Sequence, residues 1–165
     1  MLYQVGAMVG QAQQAMERIT ALQAQMQAVT LASAALPRRP RVYFEEWDEP
    51  PISAIRWVSE LIGVAGGDDC FPDLAQQSLG KNRIISDSSE IVRRDPDIII
   101  GSWCGKKFRP EKVAAREGWQ NVKAVRHAQL FEIKSPEILQ PGPAALTDGL
   151  AHLHRIIMDW ARVHA

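Results

Sequence analysis

The chain has 165 residues, a length that fits one compact domain of the commonest size. Its 19 lysines and arginines balance its 19 aspartates and glutamates, so no net charge attracts it to nucleic acid or to anionic lipid. No nucleic-acid partner is therefore expected.

The first 36 residues are predicted to form one long amphipathic helix. Apolar residues recur every three or four positions from Leu2 to Val29, with glutamines largely between them. Such a helix would be about 45 Å long and would end at Pro37 and Pro40. Its start has neither the basic residues nor the apolar core of a signal peptide. We interpret residues 1–36 either as a helix of a bundle or coiled coil, which would include pairing in a homo-oligomer, or as a spine with a further domain on its N-terminal side.

After these prolines, short apolar runs alternate with helical stretches, which is typical of a largely parallel sheet. Strands are predicted at residues 42–46, 98–102 and 130–133, with a weaker one at 83–85. Three successive isoleucines in the second strand indicate that it is central and covered on both faces. The expected fold class is α/β: residues 41–165 form a three-layer lobe, with a mostly parallel central sheet flanked by helices, after the long N-terminal helix.

Four helices are predicted between and after the strands, each from a residue type that commonly opens a helix. These residues are Ser53, Asp87 with its capping-box partner Glu90, Pro110 and Pro143. The first of these helices should end at the adjacent glycines 66 and 67.

No enzyme motif stands out. Cys70 and Cys104 match no zinc or redox spacing, and a disulfide between them is expected only if the protein is exported. His152 and His154 are two apart on a predicted helix, so they point in different directions and cannot share a metal ion. The usual hydrolase, dinucleotide and nucleotide motifs are absent from the sequence. The remaining enzymatic alternative pairs Cys104 with the distant His127, and neither a metal nor a resident cofactor is expected.

Four segments occur in an informative order: 42–51 (VYFEEWDEPP), 57–67 (WVSELIGVAGG), 95–100 (DPDIII) and 131–136 (FEIKSP). Together they resemble the C-terminal lobe of the cobalamin and iron-siderophore binding proteins of ABC importers, the helical-backbone metal receptors. The resemblance implies two α/β lobes that are joined by a long helix and hold the ligand between them.

By this resemblance, residues 1–36 are the inter-lobe helix and 41–165 the C-terminal ligand-binding lobe. The resemblance further implies capture of cobalamin or an iron-siderophore-like chelate without catalysis, a periplasmic or other extracytoplasmic location, and the membrane subunits of an ABC transporter as partners. The family's first lobe and secretion signal do not precede the helix in this sequence. We therefore expect either a fragment of a receptor or an α/β lobe that persists as an oligomeric interaction module.

Candidate ligand-binding residues follow the carboxyl ends of three predicted strands, the edge at which open α/β sheets bind ligands. They are Glu46, Trp47 and Asp48 at and after the end of the first strand, Trp103, Cys104, Gly105, Lys106 and Lys107 after the second, and Lys134, Ser135 and Pro136 after the third. Receptor function requires these segments to converge on one exposed rim.

The residue types suit a chelate. The Trp47 ring would stack on a corrin or chelate plane, or else it packs under the following proline turn. The acids beside it, Glu45 included, either contact the cargo or face solvent. Gly105 permits close backbone approach, and the lysines meet carboxylate, phosphate or amide oxygens, unless the segment is a solvated basic turn with a core tryptophan.

Glu90 has a separate expected role. The resemblance implies that an exposed acid on the outer surface of the lobe pairs with arginines of the transporter's membrane subunit, and Glu90 matches that location. The alternative is that it only caps its helix with Asp87.

Overall fold

The computed structural model of the chain describes residues 1–164. In chain order, the elements are α1 (Leu2–Met8), α2 (Ala12–Ala34), β1 (Arg41–Asp48), β2 (Pro51–Ser53), α3 (Arg56–Ala65), β3 (Asp68–Asp69), α4 (Ser89–Arg94), β4 (Ile98–Gly101), α5 (Pro110–Ala114), α6 (Lys123–Arg126), β5 (Leu130–Glu132), α7 (Ser135–Ile138) and α8 (Leu150–His164).

The N-terminal segment is two helices, so the prediction of one continuous helix is wrong. Gly10 adopts a φ of +72° between α1 and α2, a conformation that glycine accepts most readily. Gly6 then lies against Ala15, where an added Cβ would come within 2.4 Å of the alanine methyl group. The chain therefore reverses at Gly10, although the apolar periodicity continues across the turn.

The five strands form one sheet in the order β2-β1-β4-β5, with β3 beside the start of β1. β1 pairs in parallel with β3 and β4, and β4 pairs in parallel with β5. Only β2, which follows β1 in a hairpin, is antiparallel. The predicted three-layer, mostly parallel α/β lobe is confirmed, but the weak strand at 83–85 is reduced to a single bridge between Ile52 and Ile84.

Both faces of the sheet are buried, as the isoleucine run predicts. Ile98 and Ile100 join a core with β1, α3 and α8, whereas Ile99 joins a second core with Tyr43 and Trp119. All three isoleucines are fully buried. β4 is therefore the central strand, and its carboxyl end lies at the middle of the sheet edge.

The predicted helix starts are only partly correct. Ser53 belongs to β2, and α3 begins later, after Ile55. Pro110 does open α5, and the last helix does begin at Pro143, although its next turn, Ala145–Gly149, is π-helical before α8 follows.

The start of α4 also differs from the predicted capping box. The Asp87 carboxylate accepts a hydrogen bond from the Ser89 backbone N–H at 2.9 Å. Glu90 does not complete the box, because its carboxylate accepts hydrogen bonds from Arg93 and Arg94 instead.

Candidate ligand-binding site

The carboxyl end of β1 and the segments that follow β4 and β5 meet at one edge of the sheet and line two adjoining depressions. The smaller, of about 210 Å³, is lined by Asp48, Trp103, Lys106, Lys107, Arg109 and Lys112. The larger, of about 470 Å³, is lined by Trp103, Gly105, Lys106, Lys107, Glu132, Lys134, Ser135 and Pro136. The depressions share three residues, so they form one continuous surface, which we call the carboxyl-edge site.

Trp47 adjoins this site through Lys106. The Lys106 ammonium lies 4.2 Å from the centroid of the Trp47 ring and 5.3 Å from that of Trp103, and it is ion-paired with the nearly buried Asp48. The Trp47 indole N–H donates to the backbone carbonyl of Glu49 at 2.9 Å. One face of the ring is thus covered by a lysine, which a stacking ligand would have to displace.

Trp103 is a core residue at the floor of the site. Its side chain is 4% exposed and packs edge to face with Phe108, with ring centroids 5.0 Å apart. Gly101 makes this packing possible, because a Cβ there would lie 1.9 Å from the Phe108 ring. The core-tryptophan alternative therefore fits Trp103, while Gly105, Lys106 and Lys107 stay exposed above it.

Beneath Trp103 lies a fully buried carboxylate, Glu45. It accepts two hydrogen bonds from the Arg116 guanidinium, at 2.6 and 2.9 Å, one from the Trp103 indole at 3.0 Å and one from the Tyr43 hydroxyl at 2.9 Å. Burial is the main reason that the pKa of Tyr43 lies well above its usual value. Glu45 neither contacts cargo nor faces solvent, so both expectations for it are wrong; instead it ties β1 to the loop after β4.

Glu46 lines neither depression. Its carboxylate pairs with Arg83, at 2.6 and 3.3 Å, and the Arg83 side chain is only 2% exposed. Arg83 also donates to the carbonyl of Ser53, so this pair holds the β2 hairpin against the segment around residue 83. Glu46, predicted to contact the ligand, therefore lies outside the carboxyl-edge site.

Cys104 is exposed on the loop after β4, and Cys70 is buried. Both thiols are free, so the conditional disulfide does not form. Burial raises the pKa of Cys70 to about 12, which makes it unreactive near neutral pH.

The enzymatic alternative requires Cys104 and His127 to lie close together, and the structure does not place them so. Cys104 follows the carboxyl end of β4, whereas His127 precedes β5 and so lies toward the opposite edge, 6.1 Å from the ring of His164. Among residues 1–164, no cluster of three His, Cys, Asp or Glu side chains is suited to holding a metal ion.

Sequence analysis missed three residues that line the site: Arg109, Lys112 and Glu132. The available signal was the density of basic residues between 106 and 112. The expected ligand-contact segment ends at Lys107, and Lys112 falls within the helix that Pro110 is predicted to open.

Glu90 lies on α4, outside the carboxyl-edge site. Its side chain is 33% exposed, and its carboxylate pairs with Arg93 and, at 2.9 Å, with Arg94. Hydrogen bonds from Arg94 and then Arg93 lower its pKa. The acid is therefore accessible but already neutralised within the lobe.

A separate apolar cavity of about 470 Å³ lies where α1 and α2 meet α3. Tyr3, Ile19, Trp57 and Leu61 line it, together with the segment 140–146. Trp57 is half-buried there and donates its indole N–H to the carbonyl of Ile138 at 2.9 Å.

Comparison with known proteins now identifies the class to which this fold and site belong. A family model described as periplasmic binding protein matches residues 1–137, so the chain belongs to the periplasmic binding protein family. This family and its solved relatives are substrate-binding proteins and not enzymes. No curated protein sequence matches the chain.

Solved structures share the fold at low sequence identity. An ABC transporter substrate-binding protein from Listeria monocytogenes is 16% identical with a TM-score of 0.79, and the match covers 96% of this chain and 62% of that one. Staphylococcus aureus IsdE, solved with heme, is 17% identical with a TM-score of 0.71, over 94% and 62% of the two chains. The vitamin B12 binding protein BtuF of Vibrio cholerae is 16% identical with a TM-score of 0.65, over 92% and 55%. The chain thus spans between 55% and 62% of the length of these structures.

Across residues 1–164, no helix combines the length and the apolar character that crossing a membrane requires.

Proposed function

We propose that the chain is the C-terminal lobe of the substrate-binding component of an ABC-type importer, and that it captures cobalamin or an iron chelate of the siderophore type. The observation that carries this proposal is the convergence of the carboxyl end of β1 with the segments that follow β4 and β5, on one exposed surface at the edge of a mainly parallel sheet. The known ligands of two structural relatives, heme and vitamin B12, are both large metal chelates.

In this proposal, Trp47 and the exposed loop residues provide one wall of the ligand site, over the Trp103 floor. Lys106 moves from the Trp47 ring when a planar chelate stacks on it. Residues 1–36 lead to a further lobe, which would supply the opposite wall of the ligand site. The protein would act outside the cytoplasm. Glu90 then contacts the membrane subunits by exchanging its internal arginine partners for external ones.

The test uses two matched tryptophan variants. Trp47 and Trp57 are both half-buried, and each donates its indole N–H to a backbone carbonyl at 2.9 Å. We expect Trp47→Leu to weaken binding of cyanocobalamin, a ferric trihydroxamate or hemin by about tenfold in calorimetric titration, because it removes the stacking area. Trp57→Leu should leave binding unchanged.

If Trp57→Leu weakened binding and Trp47→Leu did not, the ligand would lie in the apolar cavity beside α1, and the proposed location of the ligand site would be refuted. Absence of binding to every one of these chelates would refute the receptor proposal for this lobe.

The interaction-module alternative has one observation in its favour. Tyr3, Val5, Met8 and Val9 on and after α1 are exposed apolar residues. If the lobe persists as a homo-oligomer through this helix, light scattering will give at least twice the monomer mass, and Met8→Glu will restore the monomer.

A further inference from the structure

The carboxyl-edge site concentrates positive charge that the chain as a whole does not have. Its lining includes five cations and two carboxylates: Lys106, Lys107, Arg109, Lys112 and Lys134, against Asp48 and Glu132. The complete sequence, by contrast, has zero net charge. The excess is therefore a local property of this surface.

Most of these cations also lack internal partners. Lys106 is ion-paired with Asp48, and one oxygen of Glu132 accepts the Phe108 backbone N–H at 3.2 Å. The other four cations are exposed, and within the described chain no carboxylate lies within 4.0 Å of them.

The clustering is specific to this surface. Elsewhere in residues 1–164, four further lysines and arginines have no ion-pair partner, but they lie on separate elements: Arg18 on α2, Lys81 in a 3-10 turn, Arg126 on α6 and Arg155 on α8. Eleven other lysines and arginines are paired, including Arg83, held by the half-buried Glu46, and Arg116, held by the buried Glu45. Half of the unpaired lysines and arginines of the described chain therefore meet at one site.

We infer that the cargo is an anionic metal chelate, carrying carboxylate or catecholate groups that contact Lys107, Arg109, Lys112 and Lys134. This inference rests on the proposed function and selects among its ligands. Four like charges around one surface repel each other, and covering them with a neutral ligand would remove their hydration without compensation. An anionic chelate relieves both effects while one of its aromatic or conjugated rings packs on Trp47.

The experiment compares chelate pairs that differ mainly in charge. The first pair is hemin and its dimethyl ester, and the second is a ferric tris-catecholate and a ferric tris-hydroxamate. Cyanocobalamin is the fifth probe. Each is titrated against the wild-type chain at low and high salt. A rim variant carries Lys107→Gln, Arg109→Gln, Lys112→Gln and Lys134→Gln. Its control, with the same change in net charge, carries Arg18→Gln, Lys81→Gln, Arg126→Gln and Arg155→Gln.

The expected result is that the anionic member of at least one pair binds about tenfold more tightly than its neutral partner, as two exposed ion pairs would produce. This preference should shrink at high salt, disappear in the rim variant and persist in the control. Equal binding within both pairs, or binding of cyanocobalamin alone, would overturn the anionic cargo while leaving the receptor proposal intact. Failure of all five probes to bind would overturn both.

Discussion

The buried carboxylate of Glu45 provides the most demanding test of how this site is held together. Glu45→Gln preserves the size of the side chain but removes its charge, leaving the Arg116 guanidinium without a counter-ion in a position that is only 21% exposed. Breaking one partner out of a buried ion pair costs about 3–5 kcal/mol. We expect a loss near the lower limit, about 3 kcal/mol, because Arg116 keeps some contact with water.

In a chain of this size, a loss of about 3 kcal/mol lowers the melting temperature by roughly 6–12 °C. Urea unfolding followed by circular dichroism measures the free energy directly. Glu60→Gln is the matched control, because Glu60 makes an exposed pair with Arg56 at 2.9 Å on α3, and its loss should cost less than about 0.5 kcal/mol.

A double-mutant cycle separates the energy of the Glu45–Arg116 ion pair from non-specific destabilisation by each substitution. Arg116→Gln should also destabilise the chain, because it leaves Glu45 buried with only its neutral donors, Tyr43 and Trp103. The double variant should be less destabilised than the sum of the two single variants by about 2 kcal/mol. Additive losses, or a Glu45→Gln cost below about 1 kcal/mol, would refute the view that this pair anchors the loop after β4.

Three further predictions concern a glycine, a pair of cysteines and a half-buried acid. Gly101→Ala should destabilise the chain by about 1–3 kcal/mol in urea unfolding, because its Cβ would overlap the aromatic ring packed there. Under native conditions at pH 8, an alkylating reagent followed by mass spectrometry should modify Cys104 but not Cys70. Asp69→Asn should stabilise the chain at pH 7, because burial raises the pKa of this carboxyl and so disfavours its charged form.

Each of these predictions has an internal control. Gly63→Ala on α3 meets no atom within 4 Å and should be neutral or stabilising by up to about 1 kcal/mol. Alkylation of Cys70 at a rate similar to that of Cys104 would contradict its burial. The gain from Asp69→Asn should vanish as the pH falls below the ordinary value of 3.8, where the folded and unfolded chains both hold the proton. A gain that grew at low pH would have the wrong sign.

The sheet was predictable because its signals are local. Three consecutive isoleucines without polar alternation indicate a strand buried on both faces, and the structure places Ile98, Ile99 and Ile100 in this way. Parallel strands end at the same edge, so the meeting of the segments near 48, 103 and 134 followed from strand direction alone.

Side-chain direction at the end of β1 was not predictable. The strand continues to Asp48, and its pairing with β2 shifts register between Glu45 and Trp47. A bulge of this kind changes which face the residues after Glu45 occupy, so the sequence alone could not assign Glu46 to Arg83. Both partners, Arg116 and Arg83, are distant in sequence.

The reversal at Gly10 was missed for a different reason. The apolar repeat of α1 and α2 is continuous across the turn, and a single glycine within a helical pattern is tolerated. The decisive signal was the presence of two glycines four residues apart. Gly10 permits the turn, and Gly6 permits the close approach of Ala15 that the reversal requires.

Lys106 determines how the proposed site changes when it binds. Its ammonium now covers the Trp47 ring and pairs with Asp48, so a stacking ligand must first move it. One cation–π contact and one partly exposed ion pair together restrain it by about 1–2 kcal/mol. A micromolar ligand gains about 8 kcal/mol on binding, so this restraint lowers affinity modestly and does not prevent capture. Once displaced, Lys106 adds a fifth positive charge toward the ligand, which strengthens the preference for an anionic chelate in the bound state.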